Sequence, residues 1–205
     1  MKKLLPLALL FLGVLGGARA QTCTTPISSF PYVEYFDGTA PTGWTSGGTN
    51  SSWALGKPTK LVMNSAASGN KSWVTSLTGN YSSAEQSYVE SPCFNMSAIA
   101  MPIVEMKIWW KTEFSYDGAV LQSSIDGGGT WQRVGSMGDP DNWYNDNTIN
   151  AGPGGQAPVD AHGWSGASGG WVLAKHVLTG LGGKPNVKLR IAFGSDVPTG
   201  AIKSP

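Results

Sequence analysis

Apolar and polar residues alternate along this chain with a period of two far more often than with the period of a helix. In "IVEMKIWWKTE", Val104, Met106, Ile108 and Trp110 fall on one side, and Glu105, Lys107, Trp109 and Lys111 on the other. Successive side chains of an extended chain point to opposite faces, so the run predicts a long strand with one buried and one wet face. "KLRIAF" repeats the pattern, with Leu189, Ile191 and Phe193 inward and Lys188 and Arg190 outward. Shorter runs predict strands near Tyr32–Phe36, Ser72–Leu77, Ser87–Glu90, Ala119–Ser124, Thr130–Val134 and Trp171–Leu178. For the last of these a helix stays open, because Val172, His176 and Thr179 also share a helical face. Gly, Asn, Ser and Pro clusters separate the runs. Many short strands joined by such turns predict an all-β fold, an antiparallel β-sandwich.

One segment breaks the rhythm. Ser136 to Gly170 is too polar and Gly-rich for a strand or a helix. A stretch of that length without regular structure is functional or mobile. Its Trp143, Tyr144 and Trp164 set it apart from a plain linker, which is poor in aromatics. We therefore expect a surface loop at 136–170 whose three rings form most of any ligand-binding surface.

The first twenty residues read as a leader. Lys2 and Lys3 precede an apolar run from Leu4 to Leu15, and Ala18-Arg19-Ala20 supplies a small-x-small cleavage site. The expected organisation is a signal peptide over 1–20 and one domain over 21–205, exported to the outside or the cell surface. No later run approaches the roughly 18 apolar residues of a membrane span, so no membrane insertion is expected after the leader is removed. Without Lys2, Lys3 and Arg19, 11 of the 14 basic residues remain against 13 acidic ones. That balance would not draw nucleic acid electrostatically. After export, Cys23 and Cys93 predict a disulfide pinning the N-terminus to a strand further in. Two free thiols are the alternative.

Three patterns bear on chemistry. "SSIDGGGTW", residues 123–131, contains S-x-D-x-G-x-T-W, the Asp-box of sialidase propellers. A sialidase needs several such boxes and three arginines around its substrate carboxylate. Beyond the leader the chain has one box and two arginines, Arg133 and Arg190, so that reading fails. The box is expected to be a structural hairpin with Asp126 and Trp131 as its fasteners. "GASGG" around Ser168 fits G-x-S-x-G, but a nucleophile elbow needs a strand before the serine and a helix after it. Here a Gly-rich loop precedes and a predicted strand follows. Paired carboxylates for glycoside hydrolysis are not evident either: Glu105 and Glu113 are eight residues apart, and their expected role is solubility. His162 and His176 make no metal-binding spacing. No catalytic residue is expected.

Binding is what remains. Most of the nine tryptophans belong in a core. Trp109 is the exception, since its neighbours claim the inner face, leaving it under a loop or in an aromatic platform. Together with Trp143, Tyr144 and Trp164 it completes the candidate ligand-binding set.

"FPYVEYFDG" followed by Trp44, then "SWVTSLTGNY", "ESPCFNMS", "YDGAVLQSSIDGGGTW" and "NWYND", resembles the MAM-type modules of bacterial surface proteins. Those are jelly-roll sandwiches of the concanavalin A-like group, often carried by cargo of the type IX secretion system. The resemblance runs from about Phe30 to Phe193. It implies a jelly roll acting as a non-catalytic adhesion or recognition module for a glycan or surface protein. Some such modules hold a structural cation near the acidic residue of the opening motif, which makes Asp37 of "YFDG" the candidate calcium ligand and implies no other cofactor. Family members usually carry a closing strand after the equivalent of "RIAFGSD", and this chain ends "VPTGAIKSP". The expectation is a sandwich without its last strand, whose open edge invites pairing. Two other function classes stand beside adhesion: a secreted hydrolase or an accessory domain of a glycan- or protein-degrading enzyme, and a structural spacer.

Overall fold

The computed structural model describes residues 23–39 and 42–197. The leader, and the final residues where the closing strand was sought, lie outside the described residues. The described residues form an all-β fold of ten strands: β1 (Thr45–Thr49), β2 (Trp53–Gly56), β3 (Ser72–Thr75), β4 (Gln86–Glu90), β5 (Ile103–Ile108), β6 (Gly118–Ser124), β7 (Gln132–Arg133), β8 (Trp164–Ser165), β9 (Val172–Val177) and β10 (Lys188–Gly194). Their ladders are all antiparallel. The main sheet has the order β1-β4-β10-β6-β7, with β8 also pairing β6, while β2–β3 and β5–β9 form two-stranded sheets. No helix among the described residues is long and apolar enough to cross a membrane.

The alternation read from the sequence becomes the sandwich. On β5, Val104, Met106 and Ile108 turn inward and pack on a core that includes Leu121, Leu189 and Ala192 of the main sheet. Glu105 faces solvent and pairs with Lys175 of β9 at 2.9 Å. The segment from Trp171 is a strand, not a helix: Ala174 is buried between exposed Leu173 and Lys175, a period of two. Tyr32–Phe36 departs from expectation. Its side chains alternate between half-buried and exposed, yet it pairs with no strand. Instead the Tyr32 ring sits edge-on to Phe94 at 5.1 Å, and Trp44 Nε1 donates to the Tyr32 hydroxyl. The disulfide joins Cys23 to Cys93 as expected, and beside it Ile27 bridges Phe94 in parallel.

The 136–170 segment is not a surface loop bearing exposed rings. Trp143 and Tyr144 are 3 % exposed and Trp164 is 2 % exposed. The reason is that β7 has only two residues and the layer opposite the main sheet is narrow, so the segment itself fills the space. Trp164 lies on β8, which adds to the edge of β6. The Tyr144 hydroxyl donates to Leu121 O at 3.1 Å and accepts from Leu121 N at 3.0 Å, supplying the bonds of a strand partner. Trp143 and Trp164 donate their indole N–H groups to Val134 O and Asn142 O. The three rings lie 4.7–5.3 Å apart in tilted and edge-to-face contacts, geometries that aromatic pairs favour. Burial holds the Tyr144 phenol well above its ordinary range.

Candidate functional site

The hairpin between β6 and β7 sits at one end of the main sheet. Gly127 and Gly128 take positive φ there, which lets the chain reverse tightly. Asp126 Oδ1 accepts from the Ser124 hydroxyl at 2.6 Å and from Thr130 N at 2.9 Å, and Oδ2 accepts from the Thr130 hydroxyl at 2.7 Å. These bonds, the one from Ser124 first, pull the Asp126 carboxyl down to about 2. Trp131 folds over the sheet onto Arg190. Asp126 thus bonds within the turn, and Trp131 contacts the neighbouring strand.

Beside this hairpin a cleft of about 440 Å³ opens between the end of β6, the β7 edge and the exit of β9. Val134, Leu178 and Leu181 are its buried apolar floor. Arg133 and His176 stand at its rim and are both engaged. Arg133 donates to Gly135 O, Gln156 Oε1 and Asp160 O, while His176 Nε2 lies 2.9 Å from Asp139 Oδ2 and its ring packs 4.6 Å from that of Trp143. A bond from Ser136 N, then the one with His176, holds the Asp139 carboxyl below its usual range.

A second cluster was not visible in the sequence. Carboxylate oxygens of Glu113, Asp117 and Asp196 all lie within 4.8 Å of one another. Asp117 is fully buried, accepting from the Tyr81 hydroxyl at 2.7 Å and from Asp196 N at 2.9 Å. Burial first, then the bond to Asp117, raises the Tyr81 phenol far above its ordinary value. An oxygen-only set of this kind suits a hard cation such as calcium, and the cluster can coordinate one. Glu113 thus has neighbours that a solubility role does not require. Glu113 and Asp117 share a local turn in which Asp117 N donates to Glu113 O, and the register Gly118↔Gly194 brings Asp196 to them across strands, which no spacing along the chain reveals.

Asp37, the residue to which the resemblance assigned a cation, is elsewhere. Its Oδ1 accepts from Asn70 N at 2.7 Å and Lys71 N at 3.0 Å, stapling the N-terminal segment to the turn before β3. Trp109 is half-buried, edge-on to Trp171 at 5.9 Å, and Trp171 is tied to Ser65 O. The Ser168 hydroxyl is consumed by backbone: it donates to Gly170 O at 2.7 Å and accepts from Trp110 N at 3.2 Å. His162 faces Asp160 at 2.9 Å and accepts from Met137 N. The structure thus brings neither histidine to hydrogen-bonding distance of Ser168.

With this geometry in place, the comparison with known proteins bears on the adhesion reading. The chain is similar to Bacillopeptidase F of Bacillus subtilis (strain 168). The similarity is 32 % identity over 104 residues, covering 51 % of this chain and 7 % of that protein. The region compared is thus a small part of a much longer polypeptide. No family model matches the chain, and no solved structure does. The all-β sandwich is consistent with a jelly-roll module, but the MAM-type assignment gains no further support. The reading as a purely adhesive surface module is overturned, because the relative is a peptidase.

Proposed function

We propose that this chain serves as an accessory β-sandwich of a secreted protein-degrading enzyme. The observation that carries this reading is the 104-residue similarity to Bacillopeptidase F. Its restriction to 7 % of that protein fits a module better than a catalytic unit. The engagement of Ser168 by Gly170 O and Trp110 N supports the same division of labour. Export rests on the basic start, apolar run and Ala-x-Ala end of the first twenty residues, and the disulfide fits an oxidising compartment. A jelly-roll topology of the MAM type, without its closing strand, is the finer reading of the sandwich. Calcium at Glu113, Asp117 and Asp196 is the finer reading of the acidic cluster, with a structural role.

A domain exchange tests the proposal. The region of Bacillopeptidase F that matches this chain is deleted and then replaced by this chain. Deletion is expected to slow hydrolysis of a protein substrate about tenfold while sparing a small chromogenic peptide, and the exchange restores the rate. Protein hydrolysis that is indifferent to the deletion, or is not restored, removes the accessory role. Turnover by the isolated chain that Ser168→Ala abolishes would replace it with a catalytic one.

A further inference from the structure

The two-stranded sheet β5–β9 has one covered edge and one open edge. Leu178 N donates to Pro102 O, and the register Ile103↔Val177 sets those two residues directly opposite each other. Hydrogen-bonded pairs alternate along an antiparallel ladder, so Val104, Met106 and Ile108 turn their backbone groups toward β9. Ile103, Glu105 and Lys107 turn theirs away. On β9 the outward backbone groups belong to Leu173, Lys175 and Val177, and the 136–170 segment covers the first two. Lys175 N donates to Asp141 O, and Asn142 Nδ2 donates to Leu173 O. On β5 the outward N–H and C=O groups of Ile103, Glu105 and Lys107 meet no partner among the described residues, and all three residues are exposed.

Water satisfies the backbone of an exposed edge, so openness alone does not name an occupant. Two further observations do. The inward side of β5 is incompletely covered: Val104, Met106 and Ile108 are half-buried, whereas Ala174, opposite Met106 on β9, is fully buried. A strand laid beside β5 would cover those apolar side chains. The second observation is the charge pattern. Charged residues on an edge strand ordinarily discourage pairing, and any partner of β5 has to match Glu105 and Lys107 together.

A second copy of β5 matches both. Antiparallel pairing centred on Met106 sets Glu105 opposite Lys107 of the second copy, and Lys107 opposite its Glu105. The same register sets Val104 opposite Ile108 and the exposed Ile103 opposite Trp109. Sliding one strand by a single residue would set outward backbone groups against groups already spent on β9. Sliding it by two would bring Glu105 onto Glu105, or Lys107 onto Lys107. Opposite charges facing each other across strands are favourable and like charges are not. Glu105 also pairs with Lys175 of its own β9 at 2.9 Å, so charges would alternate from Lys175 through Glu105 to Lys107 of the second copy.

We propose that β5 is the interface of a symmetric dimer in which β9-β5-β5-β9 forms one four-stranded antiparallel sheet. Such a contact uses the same surface on both copies and closes at two. The test is sedimentation velocity of the full chain with two charge reversals, both at exposed positions. Glu105→Lys sets lysine opposite lysine in both symmetric pairs, and Lys107→Glu sets glutamate opposite glutamate. The parent is expected to dimerise reversibly, and each reversal to weaken dimerisation about tenfold, because two like pairs replace two opposite ones. An equimolar mixture of the two variants is expected to regain it, since a copy with two lysines then faces one with two glutamates. Hydrogen exchange of the parent gives a second reading. The Glu105 and Lys107 amides are expected to gain protection as concentration rises, while those of Val104, Met106 and Ile108, already turned to β9, do not. A parent still monomeric at about 1 mM, where even weak association shows, overturns the proposal. Dimers indifferent to both reversals, or a mixture that fails to regain dimerisation, overturn it as well. Protection of the Glu105 and Lys107 amides that is equal at every concentration overturns it in favour of a segment of the same chain.

Discussion

The Arg190 guanidinium lies 4.2 Å from the centre of the Trp131 ring. It also stands 5.0 Å from the Tyr88 ring, and its Nε donates to Gln122 Oε1 at 2.8 Å. Arg190 belongs to the central strand of the main sheet, and Trp131 closes the hairpin at its edge, so the contact fastens one to the other. Cation–π contacts are worth about 0.5–2 kcal/mol, and the ring adds its own buried area. Trp131→Ala is expected to cost about 2–3 kcal/mol in urea unfolding, and Arg190→Lys about 1 kcal/mol because a compact ammonium stacks less well. A Trp131→Ala protein as stable as the parent would show that the hairpin is held by its internal bonds alone.

Acid should loosen the hairpin in a defined window. The Asp126 carboxyl titrates at about 2 in the folded chain, against an ordinary value near 3.8. A depressed carboxyl contributes stability above its unfolded value and loses it as pH falls through the folded one. The contribution is therefore complete above about pH 4 and gone below about pH 2. The protection of the Thr130 amide, its exchange rate relative to that of the unfolded chain at the same pH, is expected to fall between pH 5 and pH 2, and Asp126→Asn should remove that fall.

Glu85 is a second carboxylate on which the fold depends. It is fully buried, and its two oxygens accept from Ser52 N, the Ser52 hydroxyl, Ser82 N and the Ser87 hydroxyl at 2.6–3.1 Å. Those donors come from the turn before β2, the approach to β4 and β4 itself. Glu85→Ala strands all of them and is expected to cost about 3 kcal/mol or more. Chemical denaturation checks this, and a change under 1 kcal/mol would mean that water replaces the carboxylate.

Calcium at the acidic cluster has a thermal signature. With calcium proposed at this cluster, about 10 mM of the ion, roughly a hundredfold above the Kd of a weak extracellular site, is expected to stabilise the fold by about 2.7 kcal/mol. The expected rise in Tm is a few degrees, reversed by chelation and absent in Asp196→Asn. A Tm indifferent to calcium in the parent would leave the three carboxylates as an uncomplexed cluster.

Cleaving the disulfide should weaken the N-terminal half of the fold. Cys23 and Cys93 are 70 residues apart, and closing a loop of that length in the unfolded chain corresponds to about 4 kcal/mol. Cys93→Ser is expected to lower stability by that order and to free the segment ending at Ile27, which proteolysis near the N-terminus would detect.

The period-two runs were readable because burying one face of a strand leaves a mark at every second residue. Ile103–Ile108 and Lys188–Gly194 show that mark plainly. Thr45–Thr49 does not: its sequence is TSGGT, an edge strand with no apolar side chain to signal it. Tyr32–Phe36 carries the mark without being a strand, because side-chain alternation reports burial and not a partner for the backbone. The rings of 136–170 looked like surface features because polar neighbours surround them in the sequence, whereas Leu121 and Val134 surround them in space. The acidic cluster and the cleft both depend on register between strands far apart in the chain, which local patterns do not encode.

The central place of β10 in the main sheet governs how the protein can form. β1 and β4 lie on one side of it and β6 and β7 on the other, so the two halves share no ladder until Lys188–Gly194 is in hand. Until that strand docks, β1–β4 and β6–β7 are two incomplete half-sheets with exposed edges. Completion waits for one late segment, which places the polypeptide among slow, non-local folders. A helper that shields strand edges would act on it in that interval, before the sandwich, the acidic cluster and the cleft come into being together.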